Sequence, residues 1–333
     1  MVEPRVAIVG ATGMVGMEMR KVLEQRQFPV AGLTLLASER SRGRAFEFRG
    51  ETLPVRVLDE GSFAGIDIAL FSAGAGISRE FAHLAARDGA VVVDNSSAFR
   101  MEPGVPLVVP EVNPSAALEH RGIIANPNCS TIQMVVVLHP LHRQWGIERV
   151  VVTTFQSVSG TGRDAVEELM RQVAQADAGQ PVTHDVYPHQ IAYNCLPHID
   201  VFLENGYCRE EQKMVDETRK IMGEPDLALT ATTVRVPVLV GHSESVNVQF
   251  ERPVEPEEAR ELLRRAPGVE VVDDPAENAY PLAIDCEGRD PSYVGRIRKD
   301  FSAPNALNMW IVSDNLRKGA ALNAVQVAEL LLS

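Results

Sequence analysis

The sequence predicts an α/β protein built on two different sheets, the first parallel and the second mixed. In the first 128 residues, short and nearly continuous apolar runs alternate with helical patterns, which is typical of parallel strands covered by helices on both faces. After Cys129 the strand-like segments alternate apolar with polar residues and are rich in Thr and Val, which favours a mixed or antiparallel sheet. The predicted divisions are residues 1–128, 129–312 and 313–333.

The elements of the first region follow from its apolar runs and from the small polar loops after them. Because ligands of open parallel sheets bind beyond the carboxyl ends of the strands, these loops are candidate ligand sites. A helical pattern continues after Gly16 through residue 23, and a second helix is expected near 78–88. Strands are expected at residues 5–9, 33–37, 66–71, 90–94, 107–109 and 122–125.

The second region is expected to contain four longer strands and several helices. The segment 177–200 contains three Pro and three His and is predicted to be irregular. An amphipathic helix at about 315–332 closes the chain. The strands are expected at 148–156, 228–238, 245–251 and 307–313, and the other helices at 162–176, 208–222 and 256–266.

Composition limits the classes of function. The 333 residues, 45% hydrophobic and 23% charged, suit a globular protein of about two domains. The formal net charge of -13 argues against nucleic-acid and membrane partners. We expect a cytoplasmic protein, because the chain runs straight into a strand and no apolar stretch reaches the ~20 residues of a membrane span. The four cysteines have neither CxxC pairing nor metal-ligand spacing, so neither disulfides nor a metal site are expected.

A glycine-rich turn joins the first strand to the first helix. Its spacing, G-x-x-G-x-x-G, is a variant of the dinucleotide-binding pattern, in which glycines permit a tight turn, close approach of the pyrophosphate and helix packing. The phosphates then lie at the N-terminus of the helix. A Rossmann-type nucleotide domain is therefore expected, with contacts from Gly10, Ala11, Thr12, Gly13, Met14, Val15 and Gly16.

The end of the second strand indicates which dinucleotide binds. An acidic residue there would bind the ribose 2′-hydroxyl, whereas hydroxyls and arginines accommodate a 2′-phosphate. The chain has Ser38, Arg40 and Ser41, which favour NADP, but also Glu39, which argues the other way. NADP is the expected cofactor.

Cys129 lies in the turn Asn-Pro-Asn-Cys-Ser-Thr, directly before a long apolar run. A turn that opens a helix offers free N–H groups and the positive end of the helix dipole. A thiol placed there is stabilised as the thiolate, the nucleophilic form. The sequence therefore makes Cys129 a candidate nucleophile.

Four further segments complete a pattern that resembles the aspartate-semialdehyde dehydrogenase family over essentially the whole chain. With the cysteine turn, they occur in the order that is typical of that family. They are Ser-Ser-Ala-Phe-Arg at 96–100, Phe-Gln-Ser-Val-Ser-Gly-Thr-Gly at 155–162, Arg-Val-Pro-Val-Leu-Val-Gly-His-Ser-Glu at 235–244 and Ser-Asp-Asn-Leu-Arg-Lys-Gly at 313–319.

The resemblance implies a fold and a reaction. The fold would be a Rossmann domain, an α/β catalytic and dimerisation domain, and a last helix that returns to the first domain. The reaction would be NADPH-dependent reduction of 4-phospho-L-aspartate to L-aspartate 4-semialdehyde with release of inorganic phosphate, in the biosynthesis of lysine, threonine, methionine and diaminopimelate. The assembly would be a homodimer or a dimer of dimers.

The same resemblance implies roles for individual residues. Cys129 would form the acyl thioester, His242 would be the acid/base residue, and Gln156 would orient the substrate. Arg235 would bind the α-carboxylate, a role that suits a planar guanidinium.

Charged residues on the predicted helix 208–222 would bind the rest of the substrate. Glu210 would hold the α-amino group, and Lys213 with Arg100 would hold the phosphate. Glu211 stays an alternative to Glu210. Near the nicotinamide, cofactor contacts would come from Ser72, Gly74, Ser159, Gly160 and Asn315.

Three alternatives remain open at this stage. N-acetyl-glutamyl-phosphate reductase shares the fold and chemistry, but its acylated amine needs no carboxylate like that of Glu210. A catalytically silent relative that acts as a binding subunit would lack Cys129 or His242. Glyceraldehyde-3-phosphate dehydrogenase uses similar thiol chemistry, but its usual cysteine segment is not found here.

Overall fold

The structure, a computed structural model, describes residues 3–332 and divides them into two compact units, each with its own sheet. The first unit contains the chain up to Asn128 and again from Ala320 onward, and the second unit is Cys129–Gly319. The predicted α/β class is confirmed. Residues 313–319 lie in the second unit, where the Asp314 and Asn315 side chains accept backbone N–H groups of Gly288 and Gly241. The functional labels given to the three divisions stay predictions.

The first unit contains a seven-stranded sheet of order β3-β4-β2-β1-β5-β6-β7. All neighbouring strands are parallel except β3 and β4, which form an antiparallel hairpin at one edge. The elements are β1 (Arg5–Val9), α1 (Met14–Gln25), β2 (Gly32–Ala37), β3 (Ala45–Phe48), β4 (Glu51–Val57), β5 (Ile68–Phe71), α2 (Ala75–Arg87), β6 (Val91–Asp94) and β7 (Ile123–Ala125).

Strand β1 lies in the middle of this sheet, between β2 and β5. From β1 the chain first builds outward through β2 and β4, then crosses back and builds the other side through β5, β6 and β7. The strand order therefore reverses beside β1. In doubly wound sheets such a switch point is where nucleotides bind, at the carboxyl ends of the strands.

Two details of the first unit differ from the sequence prediction. The hairpin β3–β4 was not expected, because its residues are mostly exposed and give little apolar signal. The strand predicted at 107–109 is wrong: only an isolated bridge joins Leu107 to Ala125. Pro106 and Pro110 flank this run, and a proline cannot donate to a strand ladder.

The second unit contains a six-stranded sheet of order β11-β12-β13-β10-β8-β9. The pairs β8–β9 and β11–β12 are parallel and the other three are antiparallel, so the predicted mixed sheet is confirmed. The elements are α3 (Cys129–Trp145), β8 (Ile147–Gln156), α4 (Arg163–Asp177), α5 (Arg209–Met222), β9 (Ala228–Arg235), β10 (His242–Phe250), α6 (Pro256–Leu263), β11 (Val269–Val271), α7 (Ala283–Cys286), β12 (Ser292–Lys299) and β13 (Ala306–Ser313).

The core of the second unit forms between this sheet and its helices. Alternate residues of β8 and β10, such as Val150, Val152 and Val246, are fully buried and pack with Met134 and Leu138 of α3. This alternation is the period-2 pattern from which the strands were predicted. Strand β12 was not predicted. Segment 178–200 contains no helix or strand among its described residues, apart from a bridge between Leu196 and Arg235.

The chain ends in a short π-helical turn, Arg317–Ala321, followed by α8 (Leu322–Leu330). Leu322 and Val325 of α8 join the core of the first unit with Val6 and Ile8 of β1. The buried Asn323 side chain donates to two oxygens of the same unit, the Val108 carbonyl (2.9 Å) and Asn126 Oδ1 (2.7 Å). The predicted return of the last helix to the first domain is confirmed. Within residues 3–332, no helix is long and apolar enough to cross a membrane.

Candidate active site

The glycine turn of the first unit leaves no room for side chains. Gly10 has φ +87°, and a Cβ there would lie 2.8 Å from the Ser72 carbonyl oxygen at the end of β5. A Cβ on Gly16 would lie 2.3 Å from the carbonyl oxygen of Gly10. These contacts require glycine, so the turn has the close-packed backbone that the dinucleotide pattern predicts.

Two helices begin beside this turn without a capping side chain. Gly13 is the N-cap of α1 and Gly74, with φ +86°, is the N-cap of α2. Neither residue can satisfy the first backbone N–H groups of its helix, which favour an anionic group. Nothing lies within 4 Å of a Cβ built on Gly74. Both helices follow strands next to the switch point, so the backbone fits a dinucleotide pyrophosphate.

The end of β2 presents hydroxyl and guanidinium groups. Ser38 and Arg40 are exposed, and the Ser41 hydroxyl lies 3.1 Å from Thr12 Oγ1 in the glycine turn. The carboxylate of Glu39 is bonded by the Arg42 guanidinium at 2.6 and 2.9 Å. Glu39 is therefore paired with a cation, and the polar groups suit a 2′-phosphate.

Arg100 belongs to the first unit and is 8% exposed. Its guanidinium donates to the carbonyl oxygens of Asn126 (3.0 Å) and Asn95 (2.8 Å), which follow β7 and β6. It thus braces two loops at the carboxyl edge of the parallel sheet. Its role toward phosphate stays a prediction.

Cys129 is the first residue of α3 and is partly exposed. A backbone segment packs directly against it: a Cβ on Gly319 would lie 2.7 Å from the Cβ of Cys129. One helical turn later, Gln133 donates to the carbonyl oxygen of His242 at 3.3 Å. Residues four apart share a helix face, so the cysteine's face of α3 is the one that contacts β10.

Four strand ends meet at one edge of the mixed sheet. Gln156 ends β8 and pairs in register with Arg235, which ends the parallel strand β9. His242 begins β10, antiparallel to β8, and pairs with Ser313 at the end of β13. The sheet topology therefore brings three predicted site residues, Gln156, Arg235 and His242, to the same edge.

His242 is fully buried and its ring is oriented by Ser157. The Ser157 backbone N–H donates to Nδ1 (3.1 Å), so the neutral ring carries its proton on Nε2. Nε2 has no hydrogen-bond partner within residues 3–332. Burial, and secondarily the charge of Arg235, lower the pKa of His242 well below its usual range, so the imidazole is neutral at pH 7.

Ser157 also connects His242 to the end of the second unit. Its hydroxyl donates to Asn315 Oδ1 at 3.0 Å, and the same oxygen accepts the Gly241 N–H at 2.9 Å. Ser159 shares this network, with its hydroxyl 3.2 Å from Asn315 Oδ1. The sequence predicted Ser159 and Asn315 as cofactor contacts and missed Ser157. In the structure, Ser157, Ser159 and Asn315 form a hydrogen-bond network with the Gly241 N–H beside His242. The contacts of Ser159 and Asn315 with a cofactor stay predictions.

Arg235 is 5% exposed and keeps a donor unused. One terminal nitrogen donates to the Ser157 carbonyl at 2.6 Å, whereas the buried Nε has no partner in the described part of the chain. Gly160 packs against this guanidinium and against the His242 ring, at 3.0 and 3.2 Å from its would-be Cβ. A buried cation with an unused N–H suits a carboxylate.

The two adjacent glutamates of α5 have different partners. Glu211 accepts the backbone N–H groups of Cys208 (2.7 Å) and Thr233 (3.0 Å). The Glu210 carboxylate instead lies beside the end of β8: it accepts hydrogen bonds from Gln156 Nε2 at 3.2 Å and from Lys213 Nζ at 3.2 Å. Glu211 thus fixes the start of the helix, and Glu210 belongs to the candidate site.

Lys213 is held by two carboxylates, Glu210 and Asp200, the latter at 3.0 Å from Nζ. Burial alone lowers the pKa of Lys213, but the charges and hydrogen bonds of these two carboxylates outweigh burial and raise it. Asp200 was not identified from the sequence. No group of three or more His, Cys, Asp or Glu among the described residues is arranged to hold a metal ion.

The chain is similar to known proteins over almost its whole length. Family models match residues 5–120 as a semialdehyde dehydrogenase NAD-binding domain and residues 138–318 as a semialdehyde dehydrogenase dimerisation domain. Aspartate-semialdehyde dehydrogenase of Aquifex aeolicus is 57% identical over 332 residues, 98% of each chain.

Solved structures give the same result. Aspartate semialdehyde dehydrogenase II of Vibrio cholerae, complexed with ASA, matches with a TM-score of 0.97 at 48% identity and covers 100% of this chain and 99% of its own. The Candida albicans enzyme with NADP matches with a TM-score of 0.75 at 26% identity and covers 99% of each chain. By its sequence, its two domains and its fold, the chain belongs to the aspartate-semialdehyde dehydrogenase family of oxidoreductases.

Proposed function

We propose that this protein reduces 4-phospho-L-aspartate to L-aspartate 4-semialdehyde with NADPH and releases phosphate, through a thioester on Cys129. One observation carries the proposal: Gln156, Arg235 and His242 meet at one sheet edge, where His242 contacts the helix that Cys129 begins. The reaction would serve the biosynthesis of aspartate-family amino acids.

Cys129 supplies the nucleophile. Its thiolate, favoured at the N-terminus of a 17-residue helix, attacks the acyl carbon, and the bond from that carbon to the phosphate oxygen breaks. Phosphate leaves with the bonding electron pair, and the acyl group remains on sulfur as a thioester. The partial exposure of Cys129 leaves the thiol accessible to substrate.

His242 stabilises charge on the substrate oxygen. Each tetrahedral adduct on Cys129, before phosphate leaves and before the aldehyde leaves, carries a negative oxygen. The unpartnered Nε2–H of the neutral ring is a donor for that oxygen. Because burial lowers its pKa, any proton placed on the ring passes readily to substrate.

Charged side chains select the substrate. The unused Nε of Arg235 is suited to the α-carboxylate, and Glu210 to the α-ammonium. Lys213 and Arg100 are assigned to the phosphate group. Glu211 is not assigned a substrate contact, because its carboxylate already binds two backbone N–H groups.

The dinucleotide would bind to the glycine turn and to the ends of β2 and β5, including Ser38, Ser41 and Ser72. When bound, it supplies the hydride that reduces the acyl group to the aldehyde. NADP is proposed over NAD because Glu39 is paired with Arg42, and because a solved relative carries NADP. The dimerisation-domain match at 138–318 supports a homodimer, and a dimer of dimers remains part of the proposal.

The test is the reverse reaction, followed as NADPH formation from L-aspartate 4-semialdehyde and NADP with and without inorganic phosphate. N-acetyl-glutamate 5-semialdehyde replaces the substrate in one control and NAD replaces NADP in another. We expect phosphate-dependent turnover with the free-amine aldehyde only. Turnover that ignores phosphate would contradict the acyl-phosphate route, and turnover of the N-acetyl compound would contradict the assigned substrate.

A further inference from the structure

Asp200 lies beside the candidate substrate site, although nothing in the sequence distinguishes it. Its Oδ2 accepts from Lys213 Nζ at 3.0 Å, and the same ammonium lies 3.2 Å from Glu210 Oε2. Lys213 therefore bridges two carboxylates. Of the three side chains, Glu210 is 7% exposed, Lys213 20% and Asp200 29%, so Glu210 is shielded from water whereas Asp200 lies toward the surface.

The backbone of Asp200 is fixed in an uncommon conformation. Its φ is +69°, in the left-handed region, which Asp and Asn tolerate better than other non-glycine residues. The other carboxylate oxygen accepts the N–H of Val201 at 2.9 Å. Four residues earlier, Leu196 exchanges both backbone hydrogen bonds with Arg235, at 2.8 and 2.9 Å. The segment that carries Asp200 is thus anchored to the strand that carries the guanidinium.

Lys213 divides one positive charge between two carboxylates. Its ammonium pairs with Asp200 as well as with Glu210, the residue assigned to the substrate ammonium. Arg209 approaches Asp200 only to 3.8 Å and its side chain is 56% exposed, so water screens its charge. Without Asp200, the ammonium of Lys213 would no longer be shared, so it would offset more of the negative charge that Glu210 presents to the substrate amine.

We infer that Asp200 is a positioning residue that shares the ammonium of Lys213 with Glu210 and thereby makes the site selective for substrates with a free α-ammonium. The inference rests on the proposed function and deepens it. Asp200 touches no reacting atom in this scheme. It acts through Lys213 and sets how much negative charge Glu210 presents.

The substitution Asp200→Asn tests this role with little disturbance, because Asn also tolerates the left-handed backbone. We expect the KM for L-aspartate 4-semialdehyde to rise about tenfold. The kcat should change by less than about twofold, and the KM for phosphate should not rise, because Lys213 loses a competing anion. Inhibition by 4-oxobutanoate, which is the same aldehyde without the amine, should be unchanged.

Asp185→Asn is the matched control. Asp185 lies in the same irregular segment and pairs with Arg171 at 2.7 Å, away from the assigned substrate residues. The control should keep both KM values. If Asp200→Asn raised the KM values of both substrates in parallel, or matched Asp185→Asn throughout, the inference would be overturned while the proposed function stood.

A second readout does not depend on turnover. The chain has five lysines, Lys21, Lys213, Lys220, Lys299 and Lys318, so ¹³C-lysine NMR can resolve each side chain, and Lys213→Met assigns the signal of Lys213. We expect the Lys213 pKa to fall in Asp200→Asn and to stay in Asp185→Asn. An unchanged pKa would overturn the inference even with an active enzyme. Absence of turnover in the native protein would instead refute the proposed function and the amine selectivity together, and a lowered Lys213 pKa would then show that the ion pair itself exists.

Discussion

The candidate sites of the two units are built from different parts of the chain. In the first unit the nucleotide turn is made of backbone: Gly10 and Gly16 approach carbonyl oxygens so closely that no side chain fits. In the second unit the site is made of side chains. There Arg235 and His242 are almost completely buried and held by hydrogen bonds to Ser157.

Because of this difference, the two sites should respond to different kinds of substitution. A site made of backbone depends on the absence of side-chain atoms, so added atoms should damage it and most polar substitutions around it should not. A site made of buried side chains depends on specific atoms, so removing or changing one of them should abolish its chemistry while the fold persists. The predictions below test this contrast.

The largest effect is expected from the exchange of one atom at the nucleophile. Cys129→Ser should lower kcat by at least about 10³-fold, because serine is rarely ionised without a dedicated base. Folding and NADP binding should be unchanged, since the first unit keeps its own core. The measurements are phosphate-dependent NADPH formation, thermal melting and cofactor titration. Comparable turnover in the variant would argue against a covalent intermediate.

A single added carbon beside the nucleophile should have the next largest effect. In Gly319→Ala the new Cβ would meet the Cβ of Cys129 at 2.7 Å, so the cysteine must move. A displacement of this kind can cost on the order of 10²-fold in kcat. Gly32→Ala is the control, because nothing lies within 4 Å of its Cβ. Equal kinetics for the two variants would show that the position of Cys129 is not set by residue 319.

Two glycines of the glycine turn should differ in how well they tolerate alanine. Gly16→Ala would put a Cβ 2.3 Å from the Gly10 carbonyl oxygen, whereas Gly13→Ala would put one 3.3 Å from the same atom. We expect Gly16→Ala to cost about 1–3 kcal/mol of stability and to weaken NADP binding. The effect of Gly13→Ala should be much smaller. Calorimetry with and without NADP measures both quantities, and the reverse ranking would contradict the packing described for the turn.

The same contrast explains how far the sequence predicted the molecule. Both sheets were predicted because buried strands leave apolar runs, and the turn at Gly10 because only glycine fits there. Cys129 was a candidate from its own turn, but His242, Gln156 and Arg235 required the resemblance. Ser157 and Asp200 were missed because their function lies in contacts with residues far along the chain, and a lone Ser or Asp carries no sequence signal of such contacts.

Two neighbouring glutamates also show that the sequence does not reveal the partners of a side chain. Glu210 and Glu211 are equivalent in the sequence, and only their partners distinguish them: Lys213 for one, two backbone N–H groups for the other. Strands β3, β4, β11 and β12 were missed. Only one of the four positions of the edge strand β3 is buried, whereas β12 lies inside its sheet with four of eight positions buried. Side-chain partners and strand pairing are decided by tertiary packing, which local patterns do not encode.

The smallest effect concerns a carboxyl group buried beneath the site. Glu244 lies two residues after His242 on β10 and is fully buried. Burial raises the pKa of Glu244 well above its usual value, and the neighbouring Gln133 side chain offsets only part of the rise. The folded protein therefore holds a proton on this group under conditions in which the unfolded chain has released it.

The sign of the pH dependence follows from this proton. Above pH ~4.5 the folded state binds more protons than the unfolded state, so Glu244 makes the protein less stable as pH rises toward the pKa of the buried group. Glu244→Gln removes the ionisation and should stabilise the protein at pH 7–8 by about 1 kcal/mol, or roughly 2–4 °C in Tm. The gain should vanish near pH 4.5, and Glu148→Gln, an exposed position on β8, should show no gain at any pH. Because the pKa of His242 is lowered on folding, His242 makes the free energy of unfolding increase with pH below pH ~6.5. This contribution is the same in the native protein and in Glu244→Gln, so it cancels when their stabilities are compared. If the stability gain of Glu244→Gln did not grow with pH, Glu244 would be ionised in the folded protein. The buried start of β10, which carries His242, would then hold a negative charge.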